Sequence, residues 1–323
     1  MMKRTFKTLG MGLVAAFGLS MGAAYAQPDW AKNPDWCKSK YGPNDELGAF
    51  NLLTPALAAE AAKLVKTGKT YQLGEETNSK TPAFGTRTFS ILIQQPGQAH
   101  GGSLGPTKTT YNDDIIMGYV AVGSQLDGLG HIGVDGVYYN CNKAADFAQP
   151  DGLKKLGVEK LPPIVTRGVL LDMTVQFNQN PVKEGTAFNK KEIDEAAARQ
   201  GVAIKKGDVV LFHTGWQSLV GVDNKRFMGG EPGLGKEGAL YLASKEIIAV
   251  GADQWGVEVI PFEPGVGVFE VHQILLPRYG IAILENMKTN ELAKDKAYEF
   301  MFVLGHSRIT GAVQAIINPV AIR

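Results

Sequence analysis

The chain has 323 residues, 33 basic and 32 acidic side chains and a formal net charge of +1. So even a balance offers no basic field for nucleic acid or anionic lipid, and 44% apolar with 9% aromatic residues is the make-up of an ordinary globular protein. The length allows one large domain or two small ones.

In chain order, the first segment is MMKRTFKTLGMGLVAAFGLSMGAAYA. Lys3, Arg4 and Lys7 precede an apolar run that closes on Ala24-Tyr25-Ala26, the layout of a secretory signal peptide. The run is too short and too broken by glycine to span a bilayer. Cleavage before Gln27 is expected, giving a periplasmic or secreted protein with no membrane segment. The three lost cations take the net charge from +1 to −2.

Residues 27–50, with Trp30, Trp36, Pro28, Pro34 and Pro43, read as an irregular arm. TPALAAEAAKLVKTG reads as a helix capped by Thr54, with Pro55 in its first turn and Gly68 beyond its end. A second helix, NKKEIDEAAARQG, is capped by Asn189 and closed by Gly201, and KEGALYLASKE makes a third. TFSILIQQ, IIMGYVAV, GVLLDM, DVVLFHT, IIAVGAD, IAILE and FMFVL are short apolar runs between Gly, Pro or Asp, and read as strands. The Gly/Pro-rich stretches 95–107 and 229–236 read as surface loops. Strands outnumber helices without alternating with them, so the expected class is mixed α/β: several mixed β-sheets with flanking helices.

Cys37 and Cys141 are the two cysteines. In an oxidising compartment a disulfide between them is expected, with buried free thiols as the alternative.

Histidines are scarce, five in all. One lies in GSQLDGLGHIGVDG, where Gln125 and Asp127 are two residues apart and share a face if a strand runs through them. Gly128 and Gly130 let the backbone turn, bringing His131 back toward that face. The alternative is a solvated glycine-rich turn. A second cluster is EVHQILLPRYGIAILENM, in which His272 heads an apolar stretch and Glu285 closes a strand. A carboxylate ending an apolar strand needs a cation or a donor unless it points to solvent.

These segments, with RGVLLDM, GDVVLFHTGW, VGADQWGVE and RITGAVQAIINPVAI in order, resemble the metal-dependent cyclase family, which includes bacterial kynurenine formamidase and isatin hydrolase. The resemblance covers roughly residues 46–323 and implies a cyclase-type (swivelling β/β/α-like) fold, one domain over 27–323, and a homodimer or homotetramer. The family motif is H-x-G-T-H-x-D-x-P-x-H, followed much later by a metal-binding His and, about a dozen residues on, a Glu. The resemblance carries the metal-binding Asp to Asp127, the catalytic His to His131, and the late ligands to His272 and Glu285. Ala121 and Gln125 stand where the motif has its first two histidines, Ser124 where it has Thr and Leu129 where it has Pro. One divalent metal, Zn or Mn, is therefore expected on Asp127, His272 and Glu285, with Gln125 as a weak ligand or a neighbour. The two-metal centre of the family has one ligand lost at Ala121 and another softened to an amide at Gln125, which leaves a second metal open.

Trp216 and Trp255 follow strand ends, where loops build pockets, and with His213, Phe50 and Tyr138 are candidate substrate contacts. His306 reads as structural and His100 as a loop residue. The expected function is metal-dependent hydrolysis of a C–N or C–O bond in a small cyclic or N-acyl compound, with His131 as the base. The alternatives are a non-catalytic binding protein of the same fold and a metal-dependent lyase or dehydratase.

Overall fold

The computed structural model describes residues 27–94 and 103–323. The signal-like segment 1–26, His100 and the first part of the 95–107 stretch lie outside the described residues. Among those described, no helix is long and apolar enough to cross a membrane.

A nine-stranded mixed sheet organises the chain. Its strands, labelled with the hairpin discussed below, are β1 (Thr70–Gln72), β4 (Gln125–Asp127), β5 (Ile164–Asp172), β6 (Val209–His213), β7 (Ala249–Ala252), β8 (Ala282–Glu285), β9 (Glu299–Leu304), β10 (Gln314–Ile316) and β11 (Val320–Ile322). The order is β1-β11-β9-β5-β6-β7-β8-β4-β10. β5 to β8 are parallel, and antiparallel strands extend the sheet on both sides.

The apolar runs of the parallel strands follow from burial on both faces. Val169, Leu171, Val210, Phe212, Val250 and Ile283 enter one core, while Leu170, Val209, Leu211, Ala249, Ala282 and Leu284 enter the other. Helix Lys190–Gln200 covers the first face with Ile193, Ala196 and Ala197, and helix Lys236–Ser244 with Ala239, Leu242 and Ala243. Both sets recur at i, i+3, i+4, the spacing of one helical face. Their signals held locally: Asn189 N–H donates to Glu192 Oε2 at 3.0 Å at the start of the first of these helices, and Gly201 closes it at φ 69°. Thr54 Oγ1 accepts Leu57 N–H at 3.2 Å to start helix Pro55–Ala62, which stops before the expected end.

Three expectations need correction. The IIMGYVAV run is not one strand: its first half lies in β3 (Asp113–Gly118), and residues 119–124 leave the sheet before β4 starts afresh at Gln125. The left-handed turn into β4 is made by Gly123 at φ +76°. Gly128 and Gly130 do not occupy the left-handed region; a Cβ on Gly128 would stand 2.6 Å from Val158 Cγ1, and one on Gly130 2.5 Å from Leu153 Cδ1. They are small because neighbouring chain presses on them. Residues 229–236 are not a surface loop, since Gly230 to Gly235 are buried and Gly233–Leu234 pairs with Ala187–Phe188.

Cys37 and Cys141 are joined in a disulfide that closes a separation of 104 residues and ties the arm to the segment after β4. A second feature lies outside the main sheet. β2 (Phe89–Gln94) and β3 form an antiparallel hairpin that exposes Ile91, Leu92, Ile93, Ile115, Ile116 and Met117, several of them by more than half.

Candidate metal centre

Register places the first two groups. In the β4–β8 pair Gln125 lies opposite Glu285, and Asp127, two residues on, shares the face. Gln125 Nε2 donates to Glu285 Oε2 at 2.8 Å and to Asp127 Oδ1 at 3.1 Å. From β10, directly opposite Asp127, Gln314 Nε2 donates to the same Oδ1 at 2.6 Å. Two amides thus hold one oxygen of Asp127. The other, Oδ2, is buried without a partner.

His272 reaches the cluster from the short helix Glu270–Gln273. Its Nδ1 is 2.5 Å from Glu258 Oε1, and its Nε2 is 3.2 Å from Glu285 Oε1. A carboxylate on Nδ1 fixes the ring and leaves Nε2 as the ligating nitrogen. Ligand atoms of Asp127, His272 and Glu285 all lie within 4.8 Å of one another, and all three residues are buried. Behind them Glu231 is fully buried, with Oε2 accepting from Gly256 N–H at 3.3 Å and Oε1 unpartnered. A Cβ on Gly256 would approach Glu231 Oε1 to 2.8 Å, so a glycine there admits the carboxylate.

Four carboxylates packed around one imidazole are costly to bury without positive charge. Burial, then the charge of Asp127, pushes the Glu285 carboxyl up to about 8. Burial, then the charge of Glu285, also raises Glu231 well above the usual range. Burial pulls His272 down, but its bonds to Glu258 and Glu285 outweigh that and lift it to about 10. Without a cation the site therefore retains protons. The donor set, two carboxylates and an imidazole with one orphaned oxygen, fits a divalent metal that displaces them.

The sign is testable. Both folded-state values lie above the ordinary ones, so their stabilisation is fully present below the unfolded values. It is lost as pH rises, for Glu285 through about 8 and for His272 through about 10. Metal-free protein should lose Tm between about pH 6 and pH 9, and the gain on adding Zn²⁺ or Mn²⁺ should grow over the same interval. Paired melting curves measure both; a gain that shrinks with pH contradicts this charge balance.

His131 stands beside the triad, its Nε2 4.0 Å from Asp127 Oδ2 and its side chain 18% exposed. Burial holds its imidazole below the ordinary value against the pull of Asp127, so the ring is neutral at pH 7. It lines a cavity of about 90 Å³ together with Gln125, His272 and Glu285. The opposite requirement, an apolar wall, is met by Phe84, Trp255 and Phe269. Phe84 stacks on Trp255 at 5.4 Å and meets Phe269 edge-on at 5.9 Å. Arg87 brings a guanidinium to the same pocket.

Of the five candidate substrate contacts, Trp255 lines this pocket. Trp216 is fully buried against Phe227 and Leu219, its Nε1 donating to Phe227 O. Phe50 is a buried residue of the second core, and Tyr138 packs edge-on against Phe147. His213 lines a different cavity. His306 Nε2 donates to Val158 O at 2.7 Å. The reading of single residues missed Phe84, Arg87, Phe269, Glu231 and Glu258.

A family model described as a putative cyclase matches residues 70–259, more than half of the chain. The chain belongs to the cyclase family. No curated protein matches it in sequence. Among solved structures, one described as a novel cyclase is 28% identical, with 90% of this chain and 99% of that chain covered and a TM-score of 0.80. Isatin hydrolase A from Ralstonia solanacearum is 17% identical, with 83% and 97% covered and a TM-score of 0.60. A potential metal-dependent hydrolase with cyclase activity is 19% identical, with 78% and 98% covered and a TM-score of 0.52. Over these spans the mixed sheet and flanking helices are those of the cyclase fold.

Proposed function

We propose that this cyclase-family chain is a metal-dependent hydrolase, with one Zn or Mn ion per chain, that opens a C–N or C–O bond in a small cyclic or N-acyl compound. The observation that carries the reading is Asp127 Oδ2, buried and unpartnered within the triad and 4.0 Å from His131 Nε2. When bound by Asp127, His272 and Glu285, a divalent cation supplies Lewis acidity and lowers the pKa of a neighbouring water.

The chain's own residues supply the rest. As water adds to the carbonyl carbon, His131 Nε2 accepts its proton; as the C–N or C–O bond breaks, the same proton passes to the leaving nitrogen or oxygen. Gln314 and Gln125 keep Asp127 and Glu285 in place, and Glu258 holds the His272 ring. The stacked Phe84–Trp255 pair suits a planar ring, and Arg87 suits a second carbonyl oxygen or a carboxylate on it. Isatin hydrolase, a cyclic-amide hydrolase by name, shares the fold. A pure binding protein has no use for a neutral imidazole at this place, which favours the enzyme.

The test is turnover of a panel of amides, imides and lactones by protein loaded with Zn²⁺ or Mn²⁺. Ring-opened or deacylated products support the reading, and elimination products would instead make the protein a lyase. Export rests on the basic head and Ala24-Tyr25-Ala26, and predicts a mature N-terminus at Gln27 by mass spectrometry. A homodimer or homotetramer would cover the apolar β2–β3 hairpin, which a monomer leaves in water. Sedimentation of the purified protein as a monomer would contradict it.

A further inference from the structure

The carboxyl ends of β5, β6 and β7 open onto a second cavity of about 460 Å³, which shares no lining residue with the pocket over the triad. Strand ends of parallel sheets are where ligands commonly sit, and the volume is that of a small-molecule site. Asp172 ends β5, His213 ends β6 and Asp253 follows β7, so three chemically active side chains meet at one rim.

His213 is held for a purpose that the metal centre does not use. Its Nδ1 lies 2.8 Å from Thr289 Oγ1 and 3.3 Å from Asp253 Oδ2. Asp253 is itself fixed by Thr214 N–H at 2.9 Å, Thr214 Oγ1 at 2.6 Å and Gly215 N–H at 2.8 Å. Among the described residues no group pairs with Nε2, and the ring lines the cavity. Burial pulls the imidazole down, but the bond to Asp253, then the charges of Asp253 and Asp172, hold it above its ordinary value.

Lys288 lines the same cavity, half-buried and with no ion-pair partner among the described residues. Glu75 feels its charge but lies beyond ion-pair distance, and burial raises the Glu75 carboxyl toward its neutral form. Lys294 stands at the exposed rim, 3.9 Å from Glu291. Against these cations, Asp172 commits Oδ1 to Thr174 N–H and Oγ1 and to Val175 N–H. With His213 protonated, it and Lys288 face Asp172 and Asp253, while Lys294 is met by Glu291 at the rim.

We propose that this cavity is a second ligand site, separate from the metal centre, that takes a small monocarboxylic acid carrying a hydroxyl or amide group. The carboxylate is received by Lys288 Nζ and His213 Nε2–H. Asn180, Gln217 and Asn290 line the cavity as partners for the remaining polar group, and Gln217 Oε1 is buried without one. A dianion would bring a second negative charge close to the Asp172 and Asp253 carboxylates.

Histidine-ring ¹H–¹⁵N spectra of the metal-loaded protein test this, since the chain has only five histidines. Titration with lactate or salicylate should move the His213 resonance, identified by its loss in His213→Gln. Lys288→Gln should raise the midpoint about tenfold or more, as loss of a charge-assisted contact does. His131→Ala, which alters the pocket over the triad and keeps its metal, should leave that midpoint unchanged. The proposal is overturned if neither acid moves the His213 resonance, or if Lys288→Gln titrates like wild type. It is equally overturned if the shift disappears in His131→Ala, or if inorganic phosphate binds more tightly than the two acids.

Discussion

His131→Ala is expected to keep its metal while kcat on an established substrate falls by about 10²–10⁴, the usual contribution of a positioned acid–base group. The expectation follows from position. His131 Nε2 is 4.0 Å from Asp127 Oδ2, and His131 is not among the residues whose ligand atoms converge within 4.8 Å. Burial keeps the ring neutral and able to accept a proton. If the variant loses metal as fully as a triad variant does, His131 is a ligand and the proton must be handled elsewhere. His213 is not the substitute, because it lines another cavity.

Asp127→Asn is expected to lose metal and activity together. Its Oδ1 already takes two amide donors, so Oδ2 is the oxygen left for a cation. An asparagine would present one neutral oxygen at most and leave the buried amides competing for it. Loss of a residue that merely orients a ligand costs about 10- to 100-fold in metal affinity, which sets a floor for removing a ligand itself. Metal analysis after dialysis reads this directly. A variant that holds metal as wild type does would remove Asp127 from the site.

Asp127 and Glu285 were legible because they sit at strand ends, where register does the positioning, whereas His272 arrives on the short helix Glu270–Gln273. Gln125 and Asp127 share a face by the period of two, and pairing with β8 sets Glu285 opposite Gln125. Ala121 is buried, and Gln125 binds two carboxylates through its amide nitrogen. What was hidden depends on tertiary packing. Glu231 lies in a glycine- and proline-rich segment whose composition reads as loop, yet it is fully buried and its backbone bridges Ile260. Glu258 carries no periodic signal, and its role appears only when helix Glu270–Gln273 brings His272 against it. Trp216 and Trp255 occupy similar strand-end positions. One turns into a cluster with Phe227 and the other stacks on Phe84, a choice made by contacts remote in sequence. Gly128 and Gly130 read as a turn, but what requires glycine there is the close approach of Val158 and Leu153.

The central claim is that Asp127, His272 and Glu285 hold one divalent cation. Anomalous diffraction from crystals grown with Zn²⁺ or Mn²⁺ tests it most directly. One strong peak per chain is expected, bounded by Asp127 Oδ2, His272 Nε2 and a Glu285 carboxylate oxygen. The absence of a peak there, or a second peak of equal strength beside it, would contradict the account.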